Sequence, residues 1–223
     1  MRKDAAMHDE NSVVEARPQR GRPQVRPDAE TRDIIYEAAR HVFADKGFAA
    51  TSMEAIARAA GVSTKTVYRL IENKAVLFEQ MVRQRIDRFV NAVNLSACEN
   101  RNFEVALGDA LIVCGELILD REVIAIQRMI LAESEAFPQM AESFYEYAMR
   151  RTVAALGDWL RQQEARGVIA LSDADEAAGM LLGMLIFEPQ RAVWFGHRDA
   201  PSQQAIAQRA RTCAKLFLRG VRA

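Results

Sequence analysis

Nowhere in the 223 residues do eighteen apolar residues run together, which argues against a membrane-spanning helix. The opening stretch, Met1 to Arg20, is polar and mixed in charge and lacks the apolar core of a secretory signal, so a cytoplasmic location is expected. Cysteine is scarce: Cys98, Cys114 and Cys213 show neither metal-ligand spacing nor even pairing, and read as free thiols in a reducing compartment. The three histidines, His8, His41 and His197, are scattered, with no Ser/His/Asp set and no glycine-rich phosphate loop. We therefore expect no catalytic residue, metal or cofactor. Proline is rare too, and three of its six copies, Pro18, Pro23 and Pro27, fall together near the N-terminus.

What remains favours helix: half of the residues are hydrophobic, and Ala, Leu, Arg, Glu, Met and Gln are abundant. Net charge is zero, but its distribution is not even. From Arg17 to Lys74 there are eleven Lys/Arg against seven Asp/Glu, a basic module joined to a body that must carry the compensating acids. Residues 1–26 read as a flexible basic arm, since Arg17 to Arg26 holds four arginines, two prolines, a glycine and no acid. The arm suits a phosphate backbone or a minor groove, or is simply a solvated tail.

Periodicity predicts an all-α fold. Asp28 is expected to cap a first helix carrying Ile34, Ile35, Ala38, Ala39, Val42 and Phe43 on one face and stopping at Gly47. Thr51 with Glu54 three residues on forms a capping box for a second, ending at Gly61. Ser63 caps a short third helix to about Leu70, and Asn73 a long fourth to about Val93. Two short helices joined by a glycine turn, with small residues at their crossing, make a helix-turn-helix. Five further helices are expected, over about 103–119, 123–135, 138–166, 172–189 and 202–218, the fourth of them capped by Ser172.

The segment Thr51-Ser52-Met53-Glu54-Ala55-Ile56-Ala57-Arg58-Ala59-Ala60-Gly61-Val62-Ser63, followed by Thr66-Val67-Tyr68-Arg69 and by Asn73-Lys74-Ala75-Val76-Leu77-Phe78, resembles the DNA-binding head of the TetR family. The likeness covers about residues 28–78. Further on, Arg128 to Pro138 and Arg166-Gly167-Val168-Ile169 resemble the AcrR/AefR-like branch. The resemblance implies a three-helix head (residues 27–74), a larger helical body (75–223) with a ligand pocket, and a homodimer. It also implies repression of a palindromic double-stranded DNA operator, relieved by a small-molecule inducer. No membrane partner is expected, for want of a long apolar run. The chain departs from the family pattern at Leu70-Ile71-Glu72, where an acid beside DNA would repel phosphate. A helical interaction module whose head no longer reads DNA is the competing reading.

A recognition helix needs exposed polar side chains at its N-terminal end, with donors around it for phosphates. Thr64, Lys65 and Thr66 take that place, with Ser63 before them. Lys65 suits guanine O6 and N7, and threonine a base edge or a thymine methyl. Tyr68 and Lys74 match phosphate-clamping positions of the family, while Thr51 and Ser52 serve as caps and phosphate donors together. Arg69 is a phosphate ligand or the partner of Glu72. For the inducer pocket the Met and aromatic set offers Phe103, Leu107, Leu111, Met129, Phe144, Trp159, Met184 and Phe187, all equally readable as core. Gln127, Glu133 and Glu135 are candidates to orient a ligand's polar end. The last two helices, through residues such as Ala177, Met180, Met184, Leu216 and Phe217, are the expected dimer surface or else intrachain core.

Overall fold

The computed structural model describes residues 26–97 and 102–221, and every regular element among them is helical. The arm expected over residues 1–26 lies, Arg26 apart, outside the described residues, as does Cys98. Helices α1 (Asp28–Lys46), α2 (Met53–Ala60) and α3 (Thr64–Leu70) build the head, and α4 (Lys74–Ala97) runs out of it. The body adds α5 (Phe103–Ile118), α6 (Arg121–Glu133), α7 (Pro138–Phe144), α8 (Arg151–Ala165), α9 (Ala174–Trp194) and α10 (Gln203–Val221). A π-helical turn over Tyr145–Arg150 joins α7 to α8 into the single long run expected there.

Several helix starts sit one residue from the expected ones. Pro27 takes the N-cap position of α1 in place of Asp28, and Asp28 falls in the first turn, where the helix dipole favours an acid. Ser52, not Thr51, caps α2 by accepting the Ala55 N–H at 3.2 Å. Asp173, not Ser172, caps α9 by accepting the amides of Asp175 and Glu176. At α2 and α9 the neighbouring side chains have similar capping chemistry, and a one-residue offset lies within the usual spread of helix ends; at α1 no side chain caps the helix.

Helix α9 continues through Pro189, beyond the expected stop. Proline has no N–H to bond the Leu185 carbonyl and its ring crowds that oxygen. Arg209 of α10 supplies the missing donors: Nε reaches the Leu185 oxygen at 2.7 Å and Nη2 the Met184 oxygen at 2.8 Å. A charged donor from a neighbouring helix thus satisfies the break that the sequence places in α9.

The hydrophobic core has two main parts. The first packs Ile35, Phe43, Ile56, Val67 and Phe78 of the head and α4 against Met129 and Ile130 of α6. Phe48 sits at its centre, with ring centroids 5.5 Å from Phe43, 5.9 Å from Phe78 and 5.0 Å from Phe137. Because Phe137 belongs to the α6–α7 connection, the head shares its core with the body. The second part packs Phe89, Leu107, Leu111, Leu156, Trp159, Leu181 and Ala210, between α4, α5, α8, α9 and α10. Helices α5 and α10 pass so closely at Gly115 that a Cβ there would lie 2.5 Å from the Ile206 side chain.

Candidate DNA interface and body cavity

Helix α3 is short, running from the Ser63 cap to Ile71, where the backbone turns extended. Val67 and Leu70 anchor its inner side, and Ser63 caps it by accepting the Thr66 amide at 3.0 Å. The Ser63 and Thr66 hydroxyls also pair at 2.8 Å. Gly61 takes the left-handed conformation (φ 64°) that turns the chain from α2 into α3. This leaves Lys65, Tyr68 and Arg69 exposed, with Thr64 and Thr66 half-buried beside them. Ser52 is exposed at the start of α2. These are the donors that the sequence assigned to DNA, and the fold gathers them around one short helix.

Thr51, Arg69 and Lys74 have intramolecular partners. Thr51 is buried and donates its hydroxyl to the Gly47 carbonyl at 2.6 Å, so it holds the α1–α2 turn rather than offering a free donor. Lys74 Nζ donates to the carbonyls of Phe48 and Thr51 at 2.6 and 2.7 Å and lies 4.5 Å from the centre of the Phe48 ring. Partial burial lowers its pKa from the ordinary lysine value, opposed by the carboxylate of Glu133. Arg69 forms a bidentate pair with Asp28 at 2.7 and 2.9 Å, tying α3 to the start of α1 instead of meeting Glu72. The pairing holds the Asp28 carboxyl below its usual range.

Helix α6 grips the head at both of its ends. At its start, Glu122 pairs with Arg40 and, at 2.6 Å, with His41 of α1. At its finish, Glu133 accepts the backbone N–H groups of Phe48 and Ala49 at 3.1 and 2.7 Å. Gly47 is needed there twice over: its φ is +84°, and a Cβ would come within 2.6 Å of the Glu133 carboxylate. Glu133, one candidate for orienting a ligand's polar end, holds the α1–α2 turn of the head instead.

A cavity of about 810 Å³ lies between α1, α4 and the body helices. Its wall is mainly apolar, from residues such as Phe89, Leu117, Ile126, Ile130, Phe144 and Ile186. Gln127 and Gln190 also line it and pair with each other at 2.8 Å. Of the eight residues proposed from sequence for the pocket, Phe144 alone is on this wall. Leu107, Leu111 and Trp159 are buried in the second core, with the Phe103 ring stacked on Trp159 at 5.4 Å. Met129 is buried in the first core. Met184 and Phe187 face outward from α9, 38% and 57% exposed, in line with Met180 at 60%. Met and aromatic content alone does not distinguish core, cavity and outer face.

Sequence reasoning missed Arg40 and Arg85, which line the cavity. A signal existed for Arg85: it lies within the apolar stripe Met81, Val82, Ile86 and Phe89 at helical spacing, a charge on the inward face of α4. The two described cysteines are free and buried, as expected of inert thiols. Cys114 is fully buried, which pushes its pKa up to about 12, and burial raises that of Cys213. Among the described residues no cluster of metal-ligating side chains occurs, and no helix is long and apolar enough to cross a membrane.

Comparison with known proteins agrees with this geometry. Residues 35–81 match the profile of bacterial regulatory proteins of the tetR family, and residues 107–220 that of the AefR-like transcriptional repressor C-terminal domain. The HTH-type transcriptional repressor ComR of Escherichia coli (strain K12) is 28% identical over 153 residues, 67% of this chain and 71% of that protein. A TetR-family transcriptional regulator from Mesorhizobium loti has a similar structure, with TM-score 0.76 and 28% identity over 89% of this chain and 100% of its own. The flavonoid-responsive regulator FrrA is 31% identical with TM-score 0.64, over 87% of this chain and 98% of its own. The chain belongs to the TetR family of bacterial transcriptional regulators, in its AefR-like branch, and is a DNA-binding regulator rather than an enzyme.

Proposed function

We propose that this protein is a cytoplasmic homodimeric repressor, released from a palindromic operator when a small, partly apolar molecule enters the cavity of its body. The head (residues 27–74) reads DNA, and the body (75–223) binds ligand and partner. The observation that carries the reading is where the cavity lies: α1 of the head and α4, the helix leaving it, supply one wall. Its volume falls in the ordinary range of small-molecule sites, about 300–1,000 Å³. A ligand there touches the elements that carry the recognition helix. Two such helices must meet successive major grooves about 34–36 Å apart, so a state with another spacing binds the operator less well. A ligand that prefers that state weakens DNA binding by its difference in affinity. FrrA, named as flavonoid-responsive, supports a small-molecule effector.

At the DNA we assign base contacts to Thr64, Lys65 and Thr66, and phosphate contacts to Ser52, Ser63 and Tyr68. Arg69 joins them if DNA draws it from Asp28. Thr51 and Lys74 act by shaping the turn that carries these donors. Fluorescence anisotropy with duplex DNA from upstream of the protein's own coding region tests the reading, with excess random competitor to suppress electrostatic binding. Saturable binding lost in Lys65→Ala with Tyr68→Phe is expected. Binding that the double variant leaves unchanged would sink the assignment.

A further inference from the structure

The charged residues of the cavity wall are unevenly placed. Glu37 and Arg40 come from α1 and Arg85 and Arg88 from α4, while the lining from α5 through α9 carries no charge. Three cations therefore stand against one carboxylate, all on the side nearest the head.

Their partners differ. Arg88 meets Asp33 at 3.3 Å near the surface. Arg40 meets Glu37 at 2.7 Å and Glu122 more closely still. Arg85 is poorly matched. Its side chain is 33% exposed, and Asp120, at 3.7 Å, is its sole ion-pair partner among the described residues. Asp120 is itself engaged, accepting the amides of Glu122 and Val123 at 3.1 Å and lying 3.8 Å from Arg40. Burial lowers the pKa of Arg85 from the usual arginine value, the mark of a cation without full compensation.

The Arg85 guanidinium is a planar fork of N–H donors with no acceptor, and its side chain, one-third exposed and on the cavity wall, leaves part of that fork open to a ligand. A carboxylate or sulfonate oxygen that meets such a fork makes a strong, charge-assisted hydrogen bond. The apolar remainder of the wall calls for an apolar ligand body.

Accepting the cavity as the effector site, we propose that its ligand is an amphipathic organic anion, its acidic group bound by Arg85 and its apolar body by the uncharged walls of α5 to α9. A cationic amphiphile is disfavoured by the same arrangement, since it would meet three arginines and a single carboxylate, Glu37, already paired with Arg40.

The test uses two fluorescent probes of one shape, 8-anilinonaphthalene-1-sulfonate and its uncharged parent N-phenyl-1-naphthylamine, titrated into the full-length protein. The variant Gly183→Leu reports the location. Gly183 lines the cavity on α9, and a Cβ there meets no atom within 4 Å, so a leucine fills the space without a clash at its root. Both probes are expected to bind the native protein and to be lost in Gly183→Leu, with the sulfonate favoured roughly tenfold or more. Arg85→Gln is expected to abolish that preference while keeping the neutral probe, which shows the cavity intact. Arg85→Lys is expected to restore part of it. Equal binding of the two probes, or a preference that survives Arg85→Gln, overturns the anion proposal and leaves the effector site standing. Failure of both probes to bind, or binding indifferent to Gly183→Leu, overturns the effector site and this proposal together.

Discussion

The carboxylate of Glu133, at the last residue of α6, accepts the backbone N–H of Ala49 in the α1–α2 turn at 2.7 Å, across 84 positions of sequence. Its other oxygen takes the Phe48 N–H at 3.1 Å. Lys74 closes the opposite side of the same turn through the Phe48 and Thr51 carbonyls. Two of the turn's backbone donors thus go to the body and two of its acceptors to the first residue of α4. This pair of charged side chains ties the turn ahead of the helix-turn-helix to α6 and to α4.

Replacement of Glu133 by Ala is expected to cost about 1–2 kcal/mol of folding stability, because two backbone donors lose a charged acceptor. Gln, with one acceptor oxygen, should cost less. Thermal melting should register the alanine change as a fall of a few degrees for a chain of this size. Operator affinity should fall with it, since α2 and α3 are aimed through this turn. Unchanged melting and unchanged DNA binding in Glu133→Ala would show that the contact has no mechanical part.

Lys65 and Lys74 separate a reader from a brace. Lys65 is exposed on α3, and its change to Ala should leave the melting temperature within about 1 °C, as expected of surface substitutions away from special features. Operator binding should nevertheless drop, by about 1–3 kcal/mol if the side chain reads a base. Lys74→Ala should do the reverse in order: stability falls first, by about 1–2 kcal/mol, because the turn carbonyls lose their donor. DNA affinity declines only as the turn loosens. Paired melting curves and anisotropy titrations distinguish the two, and equal patterns for both variants would contradict the geometry.

The contrast also shows what the sequence made legible. Helix count, the helix-turn-helix and the exposed set on α3 follow from caps, glycine stops and 3.6-residue periodicity, all of them local properties. Lys74 did not follow, because a lysine at a helix start looks the same whether it faces phosphate or a neighbouring turn. Glu133 and Arg209 were invisible for the same reason: their partners are backbone groups, which every residue carries. The cavity was misjudged most. Large apolar side chains such as Trp159 and Leu111 fill space, while Gly179 and Gly183, both on the cavity wall, leave it open. Absence of a side chain is harder to read as a site than presence of one.

Arg209 provides a test remote from DNA and ligand. With Pro189 retained, Arg209→Ala uncovers the Leu185 and Met184 carbonyls and should destabilise by about 1–3 kcal/mol. With Pro189→Ala, the helix can bond the Leu185 carbonyl itself. Arg209→Ala should then cost much less in this background. A double-mutant cycle read by denaturant unfolding measures the coupling, and additivity of the two changes would show that Arg209 does not act on the break.

The outer stripe of α9 bears on assembly. Met180, Met184 and Phe187 follow one another at spacings of four and three, so they share a face, and Leu216 of α10 is likewise 56% exposed. Four large apolar side chains in water are unfavourable for a lone subunit, and a two-fold interface formed by α9 and α10 would bury them against the same patch of a second copy. Glutamate at Met180 and Phe187 together places like charges across such an axis, yet leaves the monomer's interior untouched. Sedimentation equilibrium at micromolar concentration is expected to give a dimer for the native protein and a monomer for Met180→Glu with Phe187→Glu. The monomer should retain its helical circular dichroism and bind operator far more weakly, since one head alone buries too little surface for tight specific binding. A double variant that remains dimeric would move the interface to another face of the body.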